Sequence, residues 1–123
     1  MTKEEVAKKY LFFLEKGEMD CVVDLFTNDG VVESPLYGVL SAKEFYKALA
    51  EDTNSSQLRF DGLFFEKNTN RISLFFDYVW ILKNNKTVEF KVVDILELTS
   101  ENKIKKLIII YDTVNARSLI DTL

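Results

Sequence analysis

The stretch "KTVEFKVVDILEL" (Lys86–Leu98) carries one carboxylate out of step with its pattern. Every second residue from Val88 reads Val88, Phe90, Val92, Asp94, Leu96, Leu98, while the alternate set Glu89, Lys91, Val93, Ile95, Glu97 holds the other charges. A strand sends successive side chains to opposite faces, so Asp94 shares a face with apolar residues. A charge is costly there, and desolvation favours the neutral acid by raising its pKa. A neutral carboxylic acid can donate one short hydrogen bond to a carbonyl or enolate oxygen. The competing reading is a structural carboxyl, bonded to the hydroxyl of Tyr10 or to a buried water.

The chain has no histidine. Serine–histidine–aspartate and cysteine–histidine catalysis are excluded, as are the common imidazole zinc sites. Acid–base chemistry falls to Asp, Glu, Tyr, Lys or Cys. Cys21 is the only cysteine. It precludes an intrachain disulfide, fits a reducing compartment and reads as a small core residue. A net charge of −4 gives no basic surface for nucleic acid. The longest apolar run, "LIIIY", is too short to span a bilayer, and the start "MTKEEVAKKY" is charged at once. A cytoplasmic protein is the expectation. No phosphate-binding glycine loop or metal-ligand cluster occurs, so no cofactor or metal is expected.

The elements that must position these residues follow from period and punctuation. With 123 residues, 47% of them hydrophobic, the chain fits one domain, residues 1–123. Thr2 and Glu5 in "TKEE" form a candidate capping box, apolar residues follow at helical spacing, and Gly17 is a stop, which predicts a helix over 3–16. "MDCVVDLFTND" reads as a second helix, "GVVES" as a short strand closed by Pro35, and "TNSS" as a loop. Ser41 and Glu44 begin a third helix, "AKEFYKALAED". The period then changes to two. "QLRFDGLFFEK", "RISLFFDYVWILK", "KTVEFKVVDILEL" and "KIKKLIIIYDTV" read as strands, with "KNTN", "KNNK" and "TSENK" as turns. Helices first and antiparallel strands after predict an α+β domain. Its N-terminal helices pack into a strongly curved, mostly antiparallel sheet, a cone with an interior pocket.

From Lys9 to Pro35, "KYLFFLEKGEMDCVVDLFTNDGVVESP" resembles the opening of the bacterial ketosteroid isomerases. The match from Tyr10 to Pro35 runs without a gap and keeps the tyrosine, the helix-ending glycine, "LF", "VE" and the proline. "KTVEFKVVDILELTSENKI" is similar to the last hairpin of that family. More broadly the chain resembles the cone-shaped nuclear transport factor two-like and SnoaL-like proteins. The resemblance implies Tyr10 as an oxyanion-hole tyrosine and Asp94 as an oxyanion-hole aspartic acid kept protonated. It implies a base at Ser34, where a serine cannot take a proton from a carbon acid unaided. Strand period and resemblance select Asp94 independently.

Ser34 either bonds a ligand or water, or is an inert replacement. Glu33 and Asp112 are possible alternative bases, although alternation points Glu33 outward and the resemblance implies that Asp112 faces away from the pocket. Tyr78, Trp80 and Phe90 are expected to line the cavity with Tyr111, a wall suited to a flat apolar ligand. Asp77 has outward parity. Phe75, Val79, Ile81, Val93, Ile95, Ile108 and Ile110 share the other sheet face, too apolar to be fully wet, which predicts a homodimer through that face. The expected function is a pocket enzyme of the isomerase, dehydratase or cyclase kind acting on an apolar carbonyl compound. The alternatives are a binding protein without catalysis and a protein-interaction module of the same fold.

Overall fold

The computed structural model describes residues 1–123. Its helix α1 (Lys3–Lys16) starts where the Thr2 hydroxyl accepts from the Glu5 N–H at 3.1 Å and the Glu5 carboxylate accepts from the Thr2 N–H at 3.2 Å. It stops at Gly17, whose φ of 73° is readily tolerated by glycine and whose N–H returns to the carbonyls of Phe13 and Leu14. Helix α2 is only Met19–Val23, because strand β1 (Phe26–Ser34) begins inside the segment expected to be helical. Strand β2 (Gly38–Ser41) turns back on β1 and leads into α3 (Ala42–Asp52). At that junction the Ser41 hydroxyl accepts from the Glu44 N–H and donates to its carboxylate, so the second half of the capping box is made by the hydroxyl rather than the backbone.

Strands β3 (Thr53–Phe65), β4 (Arg71–Leu82), β5 (Thr87–Leu98) and β6 (Ile104–Ile110) follow as consecutive antiparallel hairpins. Each hairpin turn holds one asparagine in the left-handed region: Asn68, Asn85 and Asn102, with φ of 64°, 66° and 62°. Asparagine tolerates that conformation better than most residues, which explains why the turns were visible in the sequence. "TNSS" is not a loop, because β3 starts at Thr53. The last strand is shorter than expected. After Ile110 the chain leaves the sheet, the Asp112 carboxylate accepts from the Val114 N–H at 3.0 Å, and helix α4 (Val114–Ile120) follows.

The sheet order is β2-β1-β6-β5-β4-β3, antiparallel throughout except for the parallel pair β1–β6. Register shifts between Phe60 and Gly62 on β3 and between Phe26 and Val31 on β1 mark bulges, which bend a sheet locally. The sheet curves around the helices without closing. One core joins its inner face to α1 and α3, through residues such as Tyr10, Tyr46, Phe76, Leu74 and Leu96, all at most 1% exposed. No helix is long and apolar enough to cross a membrane.

Candidate functional site

Asp94 lies on β5 in register between Leu74 of β4 and Ile109 of β6. It is 1% exposed, and its strand neighbours on the same face, Val92 and Leu96, are 2% and 0% exposed. The carboxylate oxygen Oδ1 is buried without a hydrogen-bond partner. The Asp94 carboxyl forms none of the ion pairs of the molecule. Burial alone holds its pKa well above the usual carboxylate range. Such an orphaned polar group is rare in a folded interior and calls for an account.

Tyr10 reaches the same cavity from α1 and is 1% exposed. Its hydroxyl is bonded not to Asp94, one of the two partners the structural reading offered, but to the hydroxyl of Tyr46 from α3, at 2.7 Å. Burial pushes both phenols well up; for Tyr10 the neighbouring Tyr46 and Asp94 add to this, and for Tyr46 the bond to Tyr10 works the other way. Tyr46 was not anticipated, although "EFYKAL" places it with Phe45 and Leu49 on the buried side of α3.

The cavity is lined by Tyr10, Asp94, Ser34, Tyr78, Trp80, Phe90 and Tyr111, together with Tyr37 and Phe45, which sequence reasoning missed. The polar ends of two wall aromatics are satisfied by the neighbouring strand β3. The Tyr78 hydroxyl pairs with Ser56 at 3.0 Å, and the Trp80 indole N–H donates to Thr53 Oγ1 at 2.7 Å. Burial pushes the Tyr78 phenol up to about 12. Phe90 is stacked between Tyr78 (5.3 Å between centroids) and Tyr111 (4.3 Å), so three rings form one wall. Burial also raises Tyr111. The cavity volume is about 40 Å³. That is room for water-sized groups, far below the roughly 300–1,000 Å³ of occupied ligand pockets.

The two alternative bases do not line this cavity. Glu33 projects from the outer face, 46% exposed at its side chain and 3.9 Å from Lys106. Asp112 is exposed and serves the start of α4. Ser34 is 7% exposed and does line the cavity, but its oxygen is occupied. It accepts from the N–H groups of Leu36 at 3.2 Å and Tyr37 at 3.3 Å, which closes the turn between β1 and β2. Tyr37 in turn donates its hydroxyl to the Asp52 carboxylate at 2.6 Å. Burial raises the Tyr37 phenol, and the Asp52 bond raises it further. No periodic signal marks Tyr37, which sits in an irregular turn. The half-buried Cys21 thiol is pushed up by burial and by Glu18, the reverse of an activated thiolate.

No family model and no curated protein matches the sequence. Solved structures do match the fold. An NTF2-like protein of unknown function from Burkholderia pseudomallei superposes with a TM-score of 0.83 at 14% identity, over 98% of each chain. TerC, solved with polyporic acid, gives 0.80 at 16% identity, over 97% of this chain and 98% of its own. SalBIII, an epoxide hydrolase/cyclase-like enzyme of pyran ring formation in the polyether salinomycin, gives 0.79 at 16% identity, over 92% of each chain. Helices packed into a curved, open six-stranded sheet are shared with these proteins over nearly the whole chain, so this chain has the NTF2-like cone fold.

Proposed function

We propose that the chain is a small-molecule enzyme of the isomerase, dehydratase or cyclase kind, stabilising an enolate or similar oxyanion of an apolar carbonyl compound. The observation that carries this reading is the Asp94 carboxyl, fully buried with Oδ1 unpartnered, on the wall of an apolar cavity. Desolvation keeps it protonated, so it has an O–H to give. A hydrogen bond to an oxygen strengthens as that oxygen gains negative charge, which favours the transition state over the ground state. Tyr10 is the second donor. When Tyr46 donates to Tyr10, the Tyr10 proton is free for the ligand. Tyr37, Phe90, Ile109 and Tyr111 are the half-buried members of the wall, and the reading requires this end to open for a ligand larger than the cavity.

The test is binding of 2-naphthol, a phenol whose oxyanion mimics an enolate. Asp94→Asn weakens that binding by about 10-fold to 100-fold, the value of a hydrogen bond to a charged group, with the fold kept. Equal affinity in the variant contradicts the reading.

A second reading, a binding protein that performs no reaction, draws support from Ser34. The serine stands where the resemblance implies a base, and its oxygen is spent on a turn. Exchange of ketone α-protons separates the two readings. A reducing, cytoplasmic setting suits a chain whose one cysteine is free.

We further propose a homodimer through the outer sheet face. Phe75, Val93 and Ile110 lie in one row across β4, β5 and β6, beside Ile95 and Ile108 in the next. Both signs of charge flank these rows, Asp77 with Lys91 and Glu33 with Lys106, so a second copy related by a twofold axis meets complementary groups.

A further inference from the structure

Forming an enolate requires a group that takes a proton from carbon, and the chain has no histidine for the task. Asp94 is held as the acid, Glu33 and Asp112 lie outside the cavity, and Ser34 has no basic group. One carboxylate remains connected to the cavity: Asp52, which accepts a 2.6 Å hydrogen bond from the hydroxyl of the wall residue Tyr37. Asp52 takes part in none of the ion pairs, so no lysine or arginine neutralises it within 4.0 Å.

Both members are fixed by independent devices. The Tyr37 N–H is held by Ser34 Oγ, and the next residue, Gly38, has a φ of 74°, which favours glycine and turns the chain into β2. The Tyr37 ring stands edge-on to Phe45 at 5.6 Å. Asp52 ends α3, and its carbonyl accepts from the Lys83 N–H at 3.0 Å, tying it to the end of β4. The two side chains are therefore brought together from a turn and a helix end fifteen positions apart in sequence.

We propose that Tyr37 and Asp52 are the proton-accepting pair of this site, with the phenol as the catalytic residue and the carboxylate as the positioning residue that takes up the displaced proton. The inference rests on the oxyanion reading above and deepens it. In the step, the C–H bond α to the substrate carbonyl breaks and its electron pair passes into the carbonyl as an enolate. The proton bonds to Tyr37 Oη while the original Oη–H bond breaks toward Asp52 Oδ2. The negative charge leaves Asp52 and arrives on the substrate oxygen, facing the Asp94 O–H. The same path run backward at a different carbon returns the proton and restores the carboxylate, giving isomerisation with no oxidant, reductant or other reactant. A carboxylate working through a phenol needs no entry of Asp52 into the apolar cavity, where its charge would be costly.

The experiment follows deuterium incorporation into 2-tetralone in heavy water by proton NMR, with buffer exchange subtracted, alongside 2-naphthol binding. The wild type exchanges the α-protons. Tyr37→Phe and Asp52→Asn each lower kcat by ~10²–10⁴-fold, the usual contribution of a positioned base. Both leave the KM for 2-tetralone and the affinity for 2-naphthol near wild type, which loss of structure does not do. Asp52→Glu recovers part of the rate. Variants that exchange at the wild-type rate overturn the pair while leaving the oxyanion site standing. A wild type that does not exchange also overturns it. In that case 2-naphthol binding that depends on Asp94 preserves the pocket reading, and its absence removes both.

Discussion

Asp77 and Asp94 lie on neighbouring strands of one sheet, and its two faces treat them in opposite ways. Asp77 points outward from β4, 35% exposed at its side chain, with the Lys91 ammonium 2.8 Å away in register on β5. Lys91 also lies over the Phe75 ring and near Asp61. Asp94 points inward three residues along the same β5, with no cation and no partner for Oδ1. On the outer face a charge costs little, because water and a counter-ion share it. On the inner face a charge has neither, so burial raises the Asp94 pKa and favours the neutral form. A strand period of two is enough to move the same residue type from a water-facing ion pair to an apolar interior.

Truncation at neighbouring positions of β4 breaks the comparison most strongly. Phe76, 1% exposed on the inner face, loses its whole packing environment when shortened. Phe76→Ala lowers the unfolding free energy by about 3–5 kcal/mol in urea titration, independent of protein concentration. Phe75→Ala, one residue away on the outer face, costs less and acts mainly through the concentration dependence of the transition. Equal costs at all concentrations contradict the separation of the faces.

The dimer is next in size. Ile108→Glu or Val79→Glu places an unpaired carboxylate in an apolar contact and raises the dimer dissociation constant by at least about 100-fold, read by sedimentation. A wild type that sediments as a monomer at about 50 µM ends the dimer reading.

The pH dependence of stability sharpens the contrast further. A carboxyl whose folded pKa is raised binds its proton more tightly when folded than when unfolded. Its contribution is fully present below the unfolded value of about 3.9 and is lost as pH rises toward the folded value, at up to ~1.4 kcal/mol per pH unit. Asp94→Asn removes that slope from denaturation measured across this range. The smallest effect belongs to the outer pair: Asp77→Asn leaves the thermal midpoint nearly unchanged, since an exposed ion pair is screened by water and salt.

Asp94 was legible because its strand alternates cleanly and is flanked by paired strands, so parity alone assigns its face. The three hairpins were legible through their asparagine-bearing turns. The start of β1 was not, because Leu25 and Phe26 fit either period after a short helix. Nor was the first turn of β3, an edge strand paired on one side only, where polar residues such as Asn54 and Ser55 remain exposed. Helix α4 was hidden because "YDTV" follows an apolar strand without a break in pattern, and the Asp112 carboxylate that accepts from the Val114 N–H lies inside that stretch. The Tyr37–Asp52 bond has no local signature at all. It exists only once α3 and the β1–β2 turn are packed together.

Titration of the Asp94 carboxyl carbon by NMR tests the central claim most directly. Desolvation in the apolar inner face predicts that the carboxyl stays protonated well above the ordinary aspartate range. An Asp94 carboxyl that titrates near about 3.9 is solvated or paired with a cation, and in that case it is no neutral acid and the oxyanion site is withdrawn.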